Sequence, residues 1–286
     1  MLDAAAQSRL SPSLRAALKQ ANLGPSLRAL CLFGSCVQPE TSAADPARGV
    51  PDLLAILDDG ALTPWLHRQG HGWLLQHLSR HLPPLTLALA CDGVTVAKLN
   101  LIEAGALRRA IDQLPDLYLA GRLSKPLRPL QIRDDACARE LGDTAQRAAQ
   151  QIARQVLRDL PTSCLLPSLI PACVALSYRA ELRPEGPRKL DALFAAHRDF
   201  FIARFAPLLR EQARRLGIDH DAASDRLDDR RPSGLRQLER FCLLHLLWRS
   251  RLRSLLRWPK QMLAFSGWHH YAIDKLRRAR RAERTR

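Results

Sequence analysis

Two short stretches, LCLFGS at residues 30–35 and PDLLAIL at residues 51–57, decide the interpretation of this sequence. Each is a run of apolar residues with turn-forming or polar residues at one end, which is typical of a buried strand. A Gly-Ser turn after a strand can bring backbone N–H groups and a hydroxyl against phosphate oxygens. An aspartate at the start of the next strand can bind a magnesium ion that bridges those phosphates. Gly34, Ser35 and Asp52 are therefore candidate phosphate and metal ligands, although a purely structural turn would produce the same pattern.

The metal site suggested by Asp52 has one open question. Nucleotidyltransferases often carry two carboxylates at positions i and i+2, which point to the same face of a strand, but the second position here is Leu54. Phosphate oxygens and water can fill the remaining positions of an octahedral magnesium shell. Four other carboxylates nearby are alternatives, namely Asp58, Asp59, Asp92 and Glu103.

Around these two stretches the pattern predicts an α/β (α+β) fold. Strands are predicted at 30–33, 53–57 and 85–90, with a helix within 64–81, and the Asp-Gly turn at 92–93 predicts an antiparallel return strand at 94–101. Helical spacing dominates beyond residue 105, with turn-rich breaks at 161–171 and 219–232. We therefore expect a first domain at 1–128, a mostly helical domain at 129–218 and a basic C-terminal helical region at 219–286.

Composition and charge limit the classes of protein to which this chain could belong. The 286 residues carry 44 Lys and Arg against 28 Asp and Glu, a formal charge of +16 that favours phosphate-rich partners such as nucleotides, nucleic acid or anionic lipid. No apolar run approaches the roughly 18 residues needed to span a bilayer. Seven scattered cysteines and an N-terminus without a secretory signal pattern predict a cytoplasmic protein with reduced thiols.

The C-terminal region holds most of the excess charge. From Arg249 to Arg286 there are 12 Lys or Arg against two acidic residues. Leucines and tryptophans alternate with arginines through the first part of this stretch, which suits a basic amphipathic helix lying on anionic lipid headgroups. The alternative is a solvated helix that packs on its own domain.

The densest motif is LYLAGRLSKP at residues 117–126. With this string the sequence resembles the Tam41 family of mitochondrial-type phosphatidate cytidylyltransferases, in which a Tyr-x-Ala-Gly-Arg-Leu-x-Lys-Pro string is highly characteristic. The resemblance runs in order along most of the chain. Its other anchors are Gly34, Ser35, Asp52, Asp58, Asp59, Trp65, His67, Lys98, Leu176, Ser177, Tyr178, Glu181, Leu182, Arg183, Lys189, Lys260, Gly267, Tyr271 and Lys275.

This resemblance implies a function and a set of roles. It implies transfer of CMP from CTP to phosphatidate, giving CDP-diacylglycerol and pyrophosphate, by a magnesium-dependent enzyme that is peripheral on the inner face of the membrane. The fold implied is a nucleotidyltransferase-like first domain followed by a winged-helix-like helical domain. The residues implied are Asp52, Ser35 and Lys98 as catalytic, Asp52 as the metal ligand, and Gly34, Ser35, Arg122 and Lys125 as nucleotide-binding.

Two other classes of function stay open at the level of the sequence. A nucleic-acid-binding or nucleic-acid-modifying protein with a nucleotidyltransferase-like fold would also explain the positive charge. Only 5% of the residues are aromatic and no stacking motif is present, which argues against nucleic acid as a partner. A non-catalytic adaptor on a lipid surface, with a degenerate nucleotidyltransferase fold, is the third possibility, because Leu54 replaces the second carboxylate.

Overall fold

The computed structural model describes residues 10–33, 37, 50–91, 94–181 and 187–264, and it confirms a mixed α/β fold with a C-terminal helix. The strands are β1 Leu27–Phe33, β2 Asp52–Leu57, β3 Leu85–Cys91, β4 Val94–Glu103, β5 Leu127–Ile132, β6 Ser163–Leu165, β7 Asp219–Asp221 and β8 Arg226–Asp228. The α-helices are α1 Pro12–Ala21, α2 Leu62–Arg68, α3 Trp73–His81, α4 Ala104–Asp112, α5 Tyr118–Leu123, α6 Asp135–Val156, α7 Leu166–Arg179, α8 Pro187–Ala196, α9 Arg198–Arg215 and α10 Ser233–Ala264.

A five-stranded mixed sheet positions the candidate site. Its strand order is β3-β4-β2-β1-β5, with β2 parallel to β4 and every other neighbouring pair antiparallel. The predicted antiparallel pair β3–β4 is confirmed. Its Asp-Gly turn at 92–93 lies outside the described residues. β2 and β4 run in the same direction, and Asp52 at the start of β2 lies beside Lys98, four residues after the start of β4.

The two faces of this sheet are covered by different helices. Since side chains alternate along a strand, Leu30, Leu32 and Leu53 point to one face, where they pack with residues of α1, α2 and α3. Cys31 and Leu54 point to the other face and belong to a second core built from α4 to α7, α9 and α10. This second core is continuous from β1 to α10.

The structure differs from the sequence pattern at the predicted helix and at the predicted breaks. The predicted helix within 64–81 is two helices, α2 and α3, because Gly70 between them adopts a left-handed φ of 73°. The predicted breaks at 161–171 and 219–232 contain β6, β7 and β8, which form a second sheet in the order β6-β8-β7. These strands have three residues each, too short for an alternating pattern, and the pairing of β6 with β8 joins segments about sixty residues apart in sequence.

The basic residues of α10 contact the protein itself. Arg253 Nε and Arg257 Nη2 each donate a 2.7 Å hydrogen bond to Oδ2 of Asp116, which is buried in the segment before α5. Lys260 is fully buried, and its Nζ donates to the backbone carbonyls of Leu82 and Pro84. Burial, together with the charges of the nearby arginines, lowers the pKa of Lys260. These three side chains attach α10 to the body of the molecule, and they are not available to lipid headgroups.

The variant Asp116→Asn tests this attachment through the pH dependence of the free energy of unfolding. Burial alone would raise the pKa of Asp116, but the charge of Arg257 and the hydrogen bond from Arg253 hold it below 3.8. Folding therefore lowers this pKa, so Asp116 contributes stability above pH 3.8 and loses it as the pH falls toward the native pKa. We expect the variant to lower the free energy of unfolding by about 2 kcal/mol at neutral pH. Urea unfolding of both proteins at neutral and acidic pH measures this.

The matched control is Asp143→Asn, which changes an exposed aspartate of α6. This control should change stability by less than about 0.5 kcal/mol at either pH. An advantage of wild type over Asp116→Asn that stays the same below pH 3.8 would contradict an ionised Asp116 in the folded protein.

Within the described residues, every helix is too short or too polar to cross a membrane.

Candidate functional site

Asp52 and Lys98 form an ion pair at one edge of the sheet. Asp52 opens β2 and lies opposite Lys98 of β4 and opposite Phe33, the last residue of β1. Lys98 Nζ is 3.9 Å from Asp52 Oδ1, and the two side chains are 23% and 38% exposed. The pair is therefore partly shielded by protein but open to a ligand. Gly34 and Ser35, which directly follow Phe33 in the sequence, lie outside the described residues.

The helix of the densest motif brings Arg122 to the same face of the sheet. The Arg122 guanidinium lies over two rings, 3.4 Å from the centroid of Tyr118 and 5.9 Å from the centroid of Phe33. Its Nη1 also donates hydrogen bonds to Glu181 Oε1 at 2.7 Å and to the Tyr118 carbonyl at 3.2 Å. Glu181 and the two rings thus fix the orientation of this guanidinium. Phe33 contacts Arg122 and is the cross-strand neighbour of Asp52.

Lys125 joins the same motif to the end of α7. Its Nζ donates to Ser177 Oγ at 2.9 Å and lies 4.1 Å from the centroid of the Tyr178 ring. The motif at 117–126 and the segment at 177–181, about fifty residues apart in the chain, are therefore in direct contact. In the sequence these two segments are only successive anchors of the resemblance. No local pattern predicts that Arg122 and Lys125 join them.

The close approach of α5 to α7 explains the glycine of the motif, Gly121. A Cβ atom at this position would lie 2.1 Å from Ser177 Cβ, far closer than van der Waals contact allows. Only the absence of a side chain lets α5 approach α7 this closely. The glycine thus sets the helix contact from which Arg122 and Lys125 project, a role that the sequence analysis did not assign.

The alternative carboxylates do not join Asp52. Asp58, Asp59 and Glu103 lie at the opposite ends of β2 and β4, five or more residues from the Asp52 row, which corresponds to roughly 17 Å at about 3.3 Å per residue. They are also engaged elsewhere: the nearest partners are Arg133 for Asp58, the Gly105 N–H for Asp59 and the Leu62 N–H for Glu103. The hydrogen bond from Arg133 lowers the pKa of Asp58. Asp92 lies outside the described residues.

The donor set at Asp52 is compatible with magnesium only in its substrate-bridged form. The part of the chain that the structure describes contains no cluster of three or more His, Cys, Asp or Glu side chains that could hold a metal ion. Magnesium, however, keeps several waters and is commonly bound by one or two carboxylates together with substrate phosphates. Asp52, with its partly exposed carboxylate, fits that arrangement, with the nucleotide supplying the other ligands.

The comparisons with known proteins give no family for the chain: no model of a protein family matches it, and no curated protein matches it.

Proposed function

We propose that the chain is a magnesium-dependent CTP:phosphatidate cytidylyltransferase. It would transfer CMP from CTP to phosphatidate, giving CDP-diacylglycerol and pyrophosphate. The observation that carries this proposal is the shared sheet face of Asp52, Lys98 and Arg122. Asp52 pairs with Lys98, and Arg122 lies over Phe33, the cross-strand neighbour of Asp52. One carboxylate and two cations on one partly open face form a suitable set for a metal-bound triphosphate.

The proposed reaction needs positioning more than proton transfer. A phosphatidate phosphate oxygen, already ionised at neutral pH, attacks the α-phosphorus of CTP, and the bond between the α-phosphorus and the bridging oxygen breaks to release pyrophosphate. Lys98 and Arg122 would neutralise charge on the phosphates, Arg122 as a fork held in place by Glu181 and Lys98 as a point charge. Magnesium at Asp52 would polarise the α-phosphate and stabilise the leaving pyrophosphate.

The remaining site residues take supporting roles in the proposal. Gly34 would allow close backbone approach to the phosphates, and Ser35 would donate its hydroxyl to them. Lys125, between Ser177 and the Tyr178 ring, would contribute a further positive charge on the nucleotide side.

The finer description of the fold belongs to the same proposal. A β1 strand that leads into Gly34 and Ser35, next to a β2 strand that opens with Asp52, supports a nucleotidyltransferase-like domain at 1–128. The small sheet of β6, β7 and β8 beside α7 and α9 supports a winged-helix-like second domain. Two of its strands lie after residue 218, so in this proposal the second domain would extend beyond the predicted 129–218.

The exposed side of α10 supports peripheral binding to an anionic membrane, here proposed to be the inner face. Apolar residues recur at intervals of three, four or seven positions on this side, which places them in one stripe along the helix. They are Leu244, Trp248, Leu252, Leu255 and Met262, all at least 41% exposed. Since Arg253, Arg257 and Lys260 bond to the protein, the apolar stripe and the arginines beside it would make the contact with lipid.

Leu252→Asn combined with Leu255→Asn tests the membrane contact. Both leucines are exposed, so we expect the fold to be kept and sedimentation with vesicles of phosphatidylcholine and phosphatidylglycerol to fall about tenfold or more. Leu74→Asn, at an exposed leucine of α3, is the control that should leave sedimentation unchanged. Equal sedimentation of wild type and the double variant would contradict this surface.

The proposed activity is tested with the purified chain, CTP, magnesium and phosphatidate. We expect pyrophosphate release only when all three are present, and no release when diacylglycerol replaces phosphatidate, because diacylglycerol lacks the attacking phosphate. Pyrophosphate release at the same rate with and without phosphatidate would contradict the proposal. A salt-sensitive shift of RNA or DNA by a protein without CTP turnover would instead favour the nucleic-acid alternative.

A further inference from the structure

A cationic cavity lies between α6, α10 and the turn that follows α4. Its volume is about 360 Å³, and none of its lining residues belongs to the five-stranded sheet or to α5. The polar side chains that line it are mostly cations and amides, with one carboxylate: Asp112, Gln113, Gln151, Arg154, Gln155, Arg158, Cys242, His245 and Arg249. The proposed reaction uses none of these residues.

Among the described residues, three arginines and one carboxylate, Asp112, line this cavity. Its nearby carboxylates already have partners, since Asp112 lies 3.2 Å from Arg147 Nε and Glu239 lies 2.6 Å from Arg158 Nε. Arg154 and Arg249 have no carboxylate partner among the residues that the structure covers. Two guanidinium groups at one cavity, beside amide and imidazole donors, favour binding of an anion that offers several acceptor oxygens.

Backbone strain at the edge of the cavity is a second, independent feature. Leu114 has a φ of 44°, in the left-handed region that bulky residues rarely adopt. Its carbonyl accepts a 2.8 Å hydrogen bond from Arg249 Nη2, which also holds this arginine at the cavity. Strain of this kind concentrates at binding and catalytic sites, where the surrounding structure compensates for it.

The rim of the cavity is apolar and exposed. Phe241 lines it and is 66% exposed, and Leu244 and Trp248 follow on the same side of α10 at spacings of three and seven residues. A ligand that fits both features carries a compact anion next to a large apolar part. Phospholipids have this combination, whereas a free phosphate ester would leave the apolar rim without a partner.

We infer that this cavity binds the phosphate headgroup of an anionic phospholipid, with Arg154 and Arg249 as its ligands and Phe241 against the acyl region. The bound lipid is separate from any substrate at Asp52, and this inference concerns binding alone, so it does not depend on CMP transfer. The same cations could hold the phosphate of a soluble ester, and the experiment below separates the two sources.

The test compares Arg154→Gln combined with Arg249→Gln against a control of equal charge change, Arg139→Gln combined with Arg214→Gln. Arg139 and Arg214 are exposed and lie outside the cavity lining. Binding is measured by cosedimentation with vesicles of phosphatidylcholine that contain a minority of phosphatidylglycerol, a lipid that is not the proposed substrate. At roughly fivefold for each cation near the surface, the cavity double variant should bind about 20-fold more weakly, and the control should lose much less.

Separate arms address folding and the source of the phosphate. Because Arg249 also bonds to Leu114, the single variant Arg154→Gln serves as a second test, and it should bind about fivefold more weakly with unchanged thermal unfolding. Calorimetric titration with glycerol 3-phosphate should show no comparable binding. Equal losses in the cavity variant and the control would overturn the inference. Tight binding of glycerol 3-phosphate by a wild-type protein that does not sediment with the vesicles would also overturn it.

Discussion

Asp52→Asn is expected to lower the rate of CTP-dependent pyrophosphate release by at least about a hundredfold. A bound metal ion contributes several kcal/mol to charge stabilisation in the transition state, and each 1.4 kcal/mol corresponds to a factor of ten in rate. Asparagine keeps the size and one oxygen of the side chain but removes the negative charge that holds magnesium. Steady-state rates at saturating CTP and phosphatidate, at several magnesium concentrations, measure the effect.

Stability and a matched variant accompany this measurement. Asp52 is 38% exposed and its ion pair with Lys98 is at 3.9 Å, so the substitution should change the free energy of unfolding by less than about 1 kcal/mol. Asp143→Asn, on the exposed side of α6, should keep the wild-type rate. A folded Asp52→Asn protein with more than a tenth of the wild-type rate would remove Asp52 from the proposed metal site.

Gly121→Ala is expected to lower the free energy of unfolding by about 3 kcal/mol or more. The added methyl group would lie 2.1 Å from Ser177 Cβ, so α5 and α7 must separate, and overpacking of this kind typically costs 1–3 kcal/mol, occasionally more. The same separation would disturb the hydrogen bonds of Arg122 with Glu181 and of Lys125 with Ser177. Chemical denaturation measures the loss of stability.

A second glycine of the chain supplies the control. Gly142 lies in α6 with open space where its Cβ would be, so Gly142→Ala should be neutral or stabilise the protein by up to about 1 kcal/mol. A Gly121→Ala protein as stable as the wild type would show that α5 and α7 are not in the described contact. Retention of turnover by a stable Gly121→Ala variant would further separate the motif from the proposed site.

The strands of the main sheet could be predicted because their apolar runs are local. The strands predicted at 30–33, 53–57, 85–90 and 94–101 correspond to β1, β2, β3 and β4. The pairing of Asp52 with Lys98 could not be predicted, because it depends on the register of β2 against β4, strands separated in the chain by two helices and β3. Similarly, the exclusion of Glu103 required the parallel direction of β2 and β4, which places Glu103 opposite Leu57, at the far end from Asp52.

The interpretation of α10 shows a different limit of sequence patterns. Arginines that alternate with leucines suggested cations facing lipid, yet Arg253 and Arg257 face inward to Asp116 while Leu252 and Leu255 are exposed. Burial of an arginine requires a partner for its charge. A single aspartate far away in the chain provides that partner, and periodicity alone does not reveal it.

The most direct measurement follows the phosphorus that is transferred. Wild-type protein is incubated with magnesium, phosphatidate and CTP labelled at its α-phosphate, and the lipid is then extracted and identified by mass spectrometry. The account predicts labelled CDP-diacylglycerol in the lipid phase, unlabelled pyrophosphate in water, and neither product with Asp52→Asn. Label that stays entirely in the aqueous phase with the folded wild-type protein, or that enters lipid equally well with Asp52→Asn, would contradict it.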